Sequence, residues 1–193
     1  MNHTVDYYNK NARQYYDSTI DADLSSQIQK FAALLSPGAR IIDVGCGSGR
    51  DTKAFCDLGF KASGIDASDE LAAMAADRLG IDVTVGDMSS WIADEPYDGM
   101  WCCAVLMHLT DEERDSFLGN LRHNLKPGGV VFFSVKEGIE TGEDDKGRYM
   151  RNYTEAEITD CLRKAGCRII QISRSTDKLG REEFGWLNVL CRA

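Results

Sequence analysis

The sequence is poor in the patterns that build metal sites and disulfide frameworks. Its seven cysteines form no CxxC pair, and none of its three histidines lies at a metal-ligand spacing from them. Structural zinc sites and disulfide frameworks both need matched ligand pairs. We therefore expect no bound metal and a set of reduced, mostly buried thiols at Cys46, Cys56, Cys102, Cys103, Cys161, Cys167 and Cys191.

Long apolar runs are also missing. No window approaches the roughly 20 apolar residues that span a bilayer. The opening stretch "MNHTVDYYNKNARQYY" has neither the basic nor the apolar region of a signal peptide. These absences predict a cytoplasmic protein with no membrane partner.

Positive charge is scarce as well, because 22 Lys and Arg residues face 31 Asp and Glu residues and give a formal net charge of −9. A surface of this sign repels phosphate polymers. Nucleic acid is therefore an unexpected partner, and the charge favours a small or cationic one. The oligomeric state stays open.

No proline-rich, serine-rich or low-complexity break divides the chain, so residues 1–193 are expected to form one domain. Short β-rich runs such as "RIIDV", "KASGID", "DVTVGD", "YDGMWCCAV" and "GVVFFSV" alternate with helical ones, including "DTKAFCDLG", "SDELAAMAADRLG" and "SSWIA". Alternation of this kind predicts βαβ units and a parallel sheet, hence an α/β fold.

Three further segments flank this alternation. Residues 1–36 are predicted to form an N-terminal helical lid, and residues 136–153, rich in charge and glycine, a mobile surface loop on the acceptor side. The final runs "CRIIQISRS" and "FGWLNVLCRA" predict an antiparallel hairpin at one sheet edge. Capping boxes, Thr110 with Glu113 and Thr154 with Glu157, mark the starts of two later helices.

Three glycines follow the first predicted strand in "DVGCGSGR", at 45, 47 and 49. Such a turn lets the backbone approach a ligand and presents amides at the start of the next helix. The GxGxG spacing differs from the GxGxxG fingerprint of dinucleotide-binding proteins, which disfavours an NAD-dependent oxidoreductase.

Acidic residues end the next two strands. Asp66 lies 17 residues past Gly49, where a carboxylate can accept both hydroxyls of a ribose, although it may instead cap the next helix in competition with Ser68. Asp87 ends the third strand and has turn formation as its alternative role. Asp43 is expected to be a buried acid that fixes the glycine loop.

Together, "DVGCGSGR", "GIDAS", "GDM", "YDGMWCCAVLMHL" and "LKPGGVVFFSV" resemble the motifs of the class I S-adenosylmethionine (SAM)-dependent methyltransferases, and the small bacterial members above all. The resemblance implies a Rossmann-like, seven-stranded, mostly parallel sheet with helices on both faces and a C-terminal antiparallel hairpin. It also implies SAM as cofactor and S-adenosylhomocysteine (SAH) as product.

The same resemblance assigns roles to particular positions. The glycine loop would lie against the methionine moiety, Asp66 would bind the ribose, Asp87 the adenine amino group and the Met88 amide a ring nitrogen. The implied cofactor-binding residues are Asp43, Gly45, Cys46, Gly47, Gly49, Asp66, Ala67, Asp87, Met88 and Cys103.

Catalytic and acceptor-binding candidates come from residues near the predicted crevice. His108 is either a general base or a structural histidine. Basic and aromatic residues after the fifth strand or on the final hairpin suit an acceptor carboxylate or phosphate, with a solvated surface as the alternative for each: Lys136, Arg148, Tyr153 and Arg181.

The leading hypothesis is a SAM-dependent methyltransferase acting on an oxygen, nitrogen or sulfur atom of a small molecule. Methylation of nucleic-acid bases is disfavoured. The amino-methyltransferases that act on bases carry an Asn/Asp-Pro-Pro-aromatic signature after the fourth strand, where this chain has "CAVL". A tRNA-modifying methyltransferase and a non-catalytic SAM-binding module remain as alternatives.

Overall fold

The computed structural model describes residues 3–176 and 185–193. Seven of its strands form one sheet in the order β3-β2-β1-β4-β5-β9-β8. These strands are β1 (Arg40–Val44), β2 (Lys61–Asp66), β3 (Val83–Val85), β4 (Tyr97–Cys103), β5 (Leu125–Glu137), β8 (Arg168–Ser175) and β9 (Gly185–Arg192). The first five are parallel, whereas β9 runs antiparallel to both β5 and β8. The predicted fold class is therefore confirmed.

Helices cover both faces of the sheet. They are α1 (His3–Lys10), α2 (Ala12–Thr19), α3 (Ser25–Ala32), α4 (Arg50–Asp57), α5 (Asp69–Leu79), α6 (Asp111–Gly119), α7 (Leu121–Asn124) and α8 (Glu155–Lys164), with a 3₁₀ turn at Leu106–His108. Thr110 and Thr154 both form complete capping boxes at the starts of α6 and α8, as predicted. None of the helices in the described part of the chain has the length and apolar character needed to cross a membrane.

The sheet separates two apolar cores. On one face, Phe31 of α3 and Phe55 of α4 pack edge-on against Trp101, whose ring stacks on Phe132 with centroids 3.8 Å apart. The opposite face packs against α6, α7 and α8. Because side chains alternate along each strand, Trp101 and Cys103 share the first face. The polar residues that follow the aromatic core on this face line the cavity described below.

Two local predictions were wrong. "SSWIA" forms a turn and an irregular segment instead of a helix, because Asp87 Oδ1 accepts hydrogen bonds from the Ser89 amide and hydroxyl, and the Trp91 amide bonds back to the Asp87 carbonyl. Residues 136–153 are not one irregular loop. They contain a two-stranded ribbon, β6 (Gly142–Glu143) with β7 (Tyr149–Met150).

Candidate active site

A cavity of about 380 Å³ opens where the carboxyl ends of β1, β4 and β5 meet. Ligands bind at this edge in open α/β sheets, where the strand order reverses. The glycine loop after β1 forms one wall of the cavity. The last residues of β5 and the first residues of β9 form the opposite wall. Residues of α1, α2 and α3 cover the cavity.

The glycine loop is held on β2 by its backbone. The amides of Gly45 and Cys46 both donate to the Ile65 carbonyl, at 2.7 and 3.1 Å, and the Gly47 amide donates to Asp66 Oδ2 at 2.7 Å. Gly45 has a φ of +69°, and a Cβ there would lie 2.3 Å from Val105 Cγ2. Glycine is therefore required at position 45 by both conformation and space.

Gly49 has a different environment from the other two loop glycines. A Cβ at this position would lie 2.7 Å from Ile81 Cδ1 and 2.9 Å from Ala75 Cβ. The residue also adopts a φ of +75° as the N-cap of α4. Its missing side chain therefore allows close packing of the loop against α5, and it does not line the cavity.

Asp43 is buried behind the loop, where its carboxylate Oδ2 accepts a 2.6 Å hydrogen bond from the Thr52 hydroxyl. Burial, reinforced by the neighbouring carboxylate of Asp51, raises the pKa of Asp43 to about 8. The side chain therefore holds a proton near neutral pH and acts as a hydrogen-bonding support for the loop.

The residues immediately after the loop form a network that the sequence analysis missed. Arg50 binds the Asp51 carboxylate with two hydrogen bonds, Nε to Oδ1 at 2.7 Å and Nη2 to Oδ2 at 2.9 Å. The Trp101 indole donates to the same Oδ2 at 2.9 Å, and Arg50 Nη1 donates to the Thr19 carbonyl of α2 at 3.1 Å. Arg50 and Asp51 both line the cavity. The guanidinium therefore fastens the lid helix to the loop beside the ligand space.

Asp66 lies under the lid. Its Oδ1 accepts from the Ser68 amide at 2.8 Å and its Oδ2 from the Gly47 amide. Burial raises the pKa of its carboxyl group. Ser68 caps α5 by accepting from the Leu71 amide, and its hydroxyl donates to Asn9 of α1. The helix-capping role therefore belongs to Ser68, and Asp66 fixes the glycine loop.

Asp87 is exposed and forms the turn described above, and Met88 beside it is buried. Neither residue lines the cavity, and the same holds for Gly47, Asp66 and Ala67. Of the predicted cofactor-binding residues, the structure brings four together on the cavity wall: Asp43, Gly45, Cys46 and Cys103.

Tyrosines of the lid pack on one another and over the loop. The rings of Tyr8 and Tyr15 make an edge-to-face contact with centroids 5.0 Å apart. Tyr15 lies so close to Gly47 that a Cβ there would be 3.1 Å from its ring. Tyr16 is buried, with the Arg78 guanidinium 4.8 Å above its ring. Tyr8 and Tyr15 therefore belong to the ligand space and Tyr16 to the packing between α2 and α5.

His108 is held on both ring nitrogens. Nδ1 lies 2.9 Å from the Tyr149 carbonyl, which only accepts, so Nδ1 carries the proton. Nε2 lies 3.0 Å from the Tyr8 hydroxyl and accepts from it, while Arg148 donates to that hydroxyl at 3.2 Å. Burial lowers the pKa of His108 to about 4. The ring is therefore neutral, is absent from the cavity wall and links the lid to β7.

The predicted acceptor-binding residues separate into three groups. Lys136 and Arg148 line the cavity, and Arg148 is ion-paired with Asp144 at 2.7 Å. Tyr153 is fully buried in the core with residues of α8 and does not line the cavity, and its amide donates to the Lys136 carbonyl. Tyr153 is therefore a core residue in this structure and not part of the cavity wall. Arg181 lies outside the described residues.

Further cavity residues have no counterpart in the predicted set. Ser134 and Asn188 are polar residues inside the apolar strands "GVVFFSV" and "WLNVL", and both are buried. Ala104 follows β4 with a φ of +59°, unusual for a residue with a side chain. A polar residue within an apolar strand was the signal available for the first two, whereas the Ala104 conformation has no sequence signal.

Known methyltransferases are similar to this chain. Residues 41–129 match a methyltransferase domain family. An uncharacterized methyltransferase from Staphylococcus carnosus is 23% identical over 162 residues, which cover 79% of this chain and 78% of that protein. A ubiquinone biosynthesis O-methyltransferase from Xanthomonas campestris is 32% identical over 111 residues, covering 54% of this chain and 46% of that protein.

Several solved structures match nearly the whole chain. One of them is the Burkholderia thailandensis 1,6-didemethyltoxoflavin-N1-methyltransferase with bound 1,6-didemethyltoxoflavin and SAH, with a TM-score of 0.82 and 22% identity. The match covers 98% of this chain and 87% of that one. At this identity the likeness shows the fold.

Proposed function

We propose that the chain is a class I SAM-dependent methyltransferase and that it methylates an oxygen, nitrogen or sulfur atom of a small molecule. The observation that supports the proposal is a single cavity that runs from the glycine loop to the ends of β5 and β9. One end suits the cofactor and the other an acceptor. Its volume of about 380 Å³ is that of a small-molecule site.

The residues at the loop fit the methionine end of SAM. Gly45, with a positive φ, brings the backbone to the cavity wall, and Cys46 and Cys103 line the cavity beside it. Arg50 uses three of its five N–H groups on Asp51 and Thr19, so two remain for a carboxylate. We assign the α-carboxylate of SAM to Arg50.

The ribose end needs a change in the lid. Asp66 has lone pairs left on both oxygens after accepting from the two backbone amides, so it can still accept the ribose hydroxyls. Access to it is closed by α1, which bonds to Ser68 through Asn9. We therefore propose that α1 shifts when SAM binds, and that Asp87 and Met88 meet the adenine beyond it.

Bound SAM supplies a methyl group on a sulfonium, and its transfer to the acceptor leaves SAH. Methyl transfer from a sulfonium is strongly downhill, and the protein's contribution is to align the acceptor and exclude water. Tyr8 and Tyr15 close the cavity from the lid side. His108 is not proposed as a base, because its Nε2 is occupied by Tyr8 and its ring is absent from the cavity wall.

A small acceptor agrees with the volume of the cavity and the net charge of −9. The similar Burkholderia thailandensis structure also holds a small molecule, 1,6-didemethyltoxoflavin, together with SAH. Lys136 and Arg148 at the acceptor end disfavour a cationic molecule.

The test is titration calorimetry with SAM and SAH, followed by incubation of a metabolite extract with methyl-labelled SAM. Binding of both ligands together with a labelled product supports the proposal. Absence of SAM and SAH binding would overturn it. Binding without any labelled product would instead support a non-catalytic SAM-binding module.

A further inference from the structure

The acceptor end of the cavity has a polar floor built by strand register. Ser134 of β5 lies opposite Cys103 of β4 on one side and opposite Asn188 of β9 on the other. In the next row, Lys136 lies opposite Trp186, which lies opposite Ser175 of β8. Side chains opposite each other share a face of the sheet. The aromatic core therefore gives way to a platform of hydroxyl, amide and indole groups.

The half-buried side chain of Gln27 in α3 lies across from this platform. Gln27 lines the main cavity and also a second cavity of about 230 Å³ between α3 and β8–β9. Asn188 and Ser175 line both cavities too. The two spaces are therefore adjacent, with Gln27 on the helix side and Asn188 on the sheet side.

The Gln27 side-chain oxygen is buried and has no hydrogen-bond partner among the described residues. Buried polar atoms are nearly always paired, and an unpaired one destabilises the fold. By contrast, Asn188 Nδ2 donates to the Ser175 hydroxyl at 2.9 Å. Asn188 and Ser175 are therefore hydrogen-bonded to each other, whereas the Gln27 oxygen is a hydrogen-bond acceptor that still lacks a donor.

We propose that Gln27, Asn188, Ser134 and Ser175 form the acceptor-binding subsite, and that the acceptor is an uncharged ring compound with an N–H or O–H group that donates to Gln27 Oε1. This inference rests on the proposed methyltransferase function. Hydroxyl and amide groups suit a neutral polar molecule because they both donate and accept. The rings of Tyr15 and Trp186, both on the cavity wall, suit a planar one.

The two arginines near this subsite are already paired with carboxylates. Arg148 on the cavity wall is paired with Asp144, and Arg174 at the edge of the second cavity is paired with Glu137 at 2.8 Å. A ligand that leaves the buried Gln27 oxygen without a hydrogen-bond donor should bind about tenfold more weakly, or weaker still, than a ligand that supplies one. Gln27 is therefore a specificity-determining residue for ligands that carry the N–H or O–H group.

The experiment uses the SAH-loaded protein and two matched pairs of probes, 2-pyridone with 1-methyl-2-pyridone and uracil with 1,3-dimethyluracil. Each pair differs in the ring N–H. We expect the N–H probe to bind about tenfold tighter than its methylated partner, as measured by ligand-observed NMR titration. Gln27→Leu should abolish the preference. Gln29→Leu, at an exposed position of the same helix, should keep it.

A second readout needs no acceptor. Removing an unpaired buried oxygen should raise the Tm of the ligand-free Gln27→Leu protein above that of the Gln29→Leu protein. Equal binding of both members of each pair, no binding of any probe, or a preference that survives Gln27→Leu would overturn the subsite. Loss of SAH binding by the unaltered protein would instead overturn the methyltransferase proposal.

Discussion

Replacement of Gly45 by alanine tests whether the loop is fixed by both conformation and space. The residue has a φ of +69°, a region that costs an L-residue about 1–2 kcal/mol. The new Cβ would also lie 2.3 Å from Val105 Cγ2 and 2.7 Å from Val105 Cβ, an overlap that costs about 1–3 kcal/mol when neighbours shift. We therefore expect Gly45→Ala to lower the free energy of unfolding by about 2–5 kcal/mol.

Gly38 provides a matched control, because its φ is +71° and no described atom lies within 4 Å of a Cβ built there. Gly38→Ala should therefore show the conformational cost alone, about 1–2 kcal/mol. The assay is urea denaturation followed by tryptophan fluorescence. The difference between the two variants measures the overlap with Val105.

Val105→Ala separates the two effects further. It removes the 2.3 Å contact but leaves the Cβ contact at 2.7 Å, so relief should be partial. The double variant should be less destabilised than the sum of the two single variants. If Gly45→Ala is no worse than Gly38→Ala, or if the two changes simply add, the steric explanation is refuted.

Three further predictions concern buried polar groups. Because folding raises the pKa of Asp43 from 3.8 to about 8, the free energy of unfolding should fall as pH rises between those values. Asp43→Asn keeps a hydrogen-bond acceptor for Thr52 but cannot ionise, so this variant should show a smaller fall in urea titrations at several pH values. Because the pKa of His108 is lowered from 6.5 to about 4, stability should rise with pH between those values, and His108→Gln should remove this rise; an unchanged slope would contradict the buried neutral ring. Trp101→Phe removes the indole donor to Asp51 and should cost about 1–3 kcal/mol in unfolding free energy; a loss below about 0.5 kcal/mol would contradict the network.

The fold and the loop were predictable because their signals are local. The apolar run "RIIDV" predicts a buried strand, the three glycines that follow predict the turn, and the two capping boxes predict where α6 and α8 begin. Each signal depends on neighbouring residues. The structure confirms these elements.

The missed features depend on contacts between distant positions. Asp51 accepts a hydrogen bond from Trp101, which lies fifty positions away in the sequence. The salt bridge between the consecutive residues Arg50 and Asp51 matches no sequence pattern that predicts an ion pair. "SSWIA" was predicted as a helix from its place in the strand–helix alternation, but the Asp87 side chain competes for the backbone amides. His108 remained a candidate base because its two hydrogen-bond partners, the Tyr8 hydroxyl and the Tyr149 carbonyl, are distant in the sequence and could not be predicted from it.

The position of β9 in the sheet has a consequence for the order of assembly. This strand comes last in the sequence, yet it lies between β5 and β8. During synthesis, β8 emerges from the ribosome with no strand to pair with until β9 follows it. The parallel part of the sheet can thus form first, whereas the antiparallel part is completed only after β9 has been synthesised.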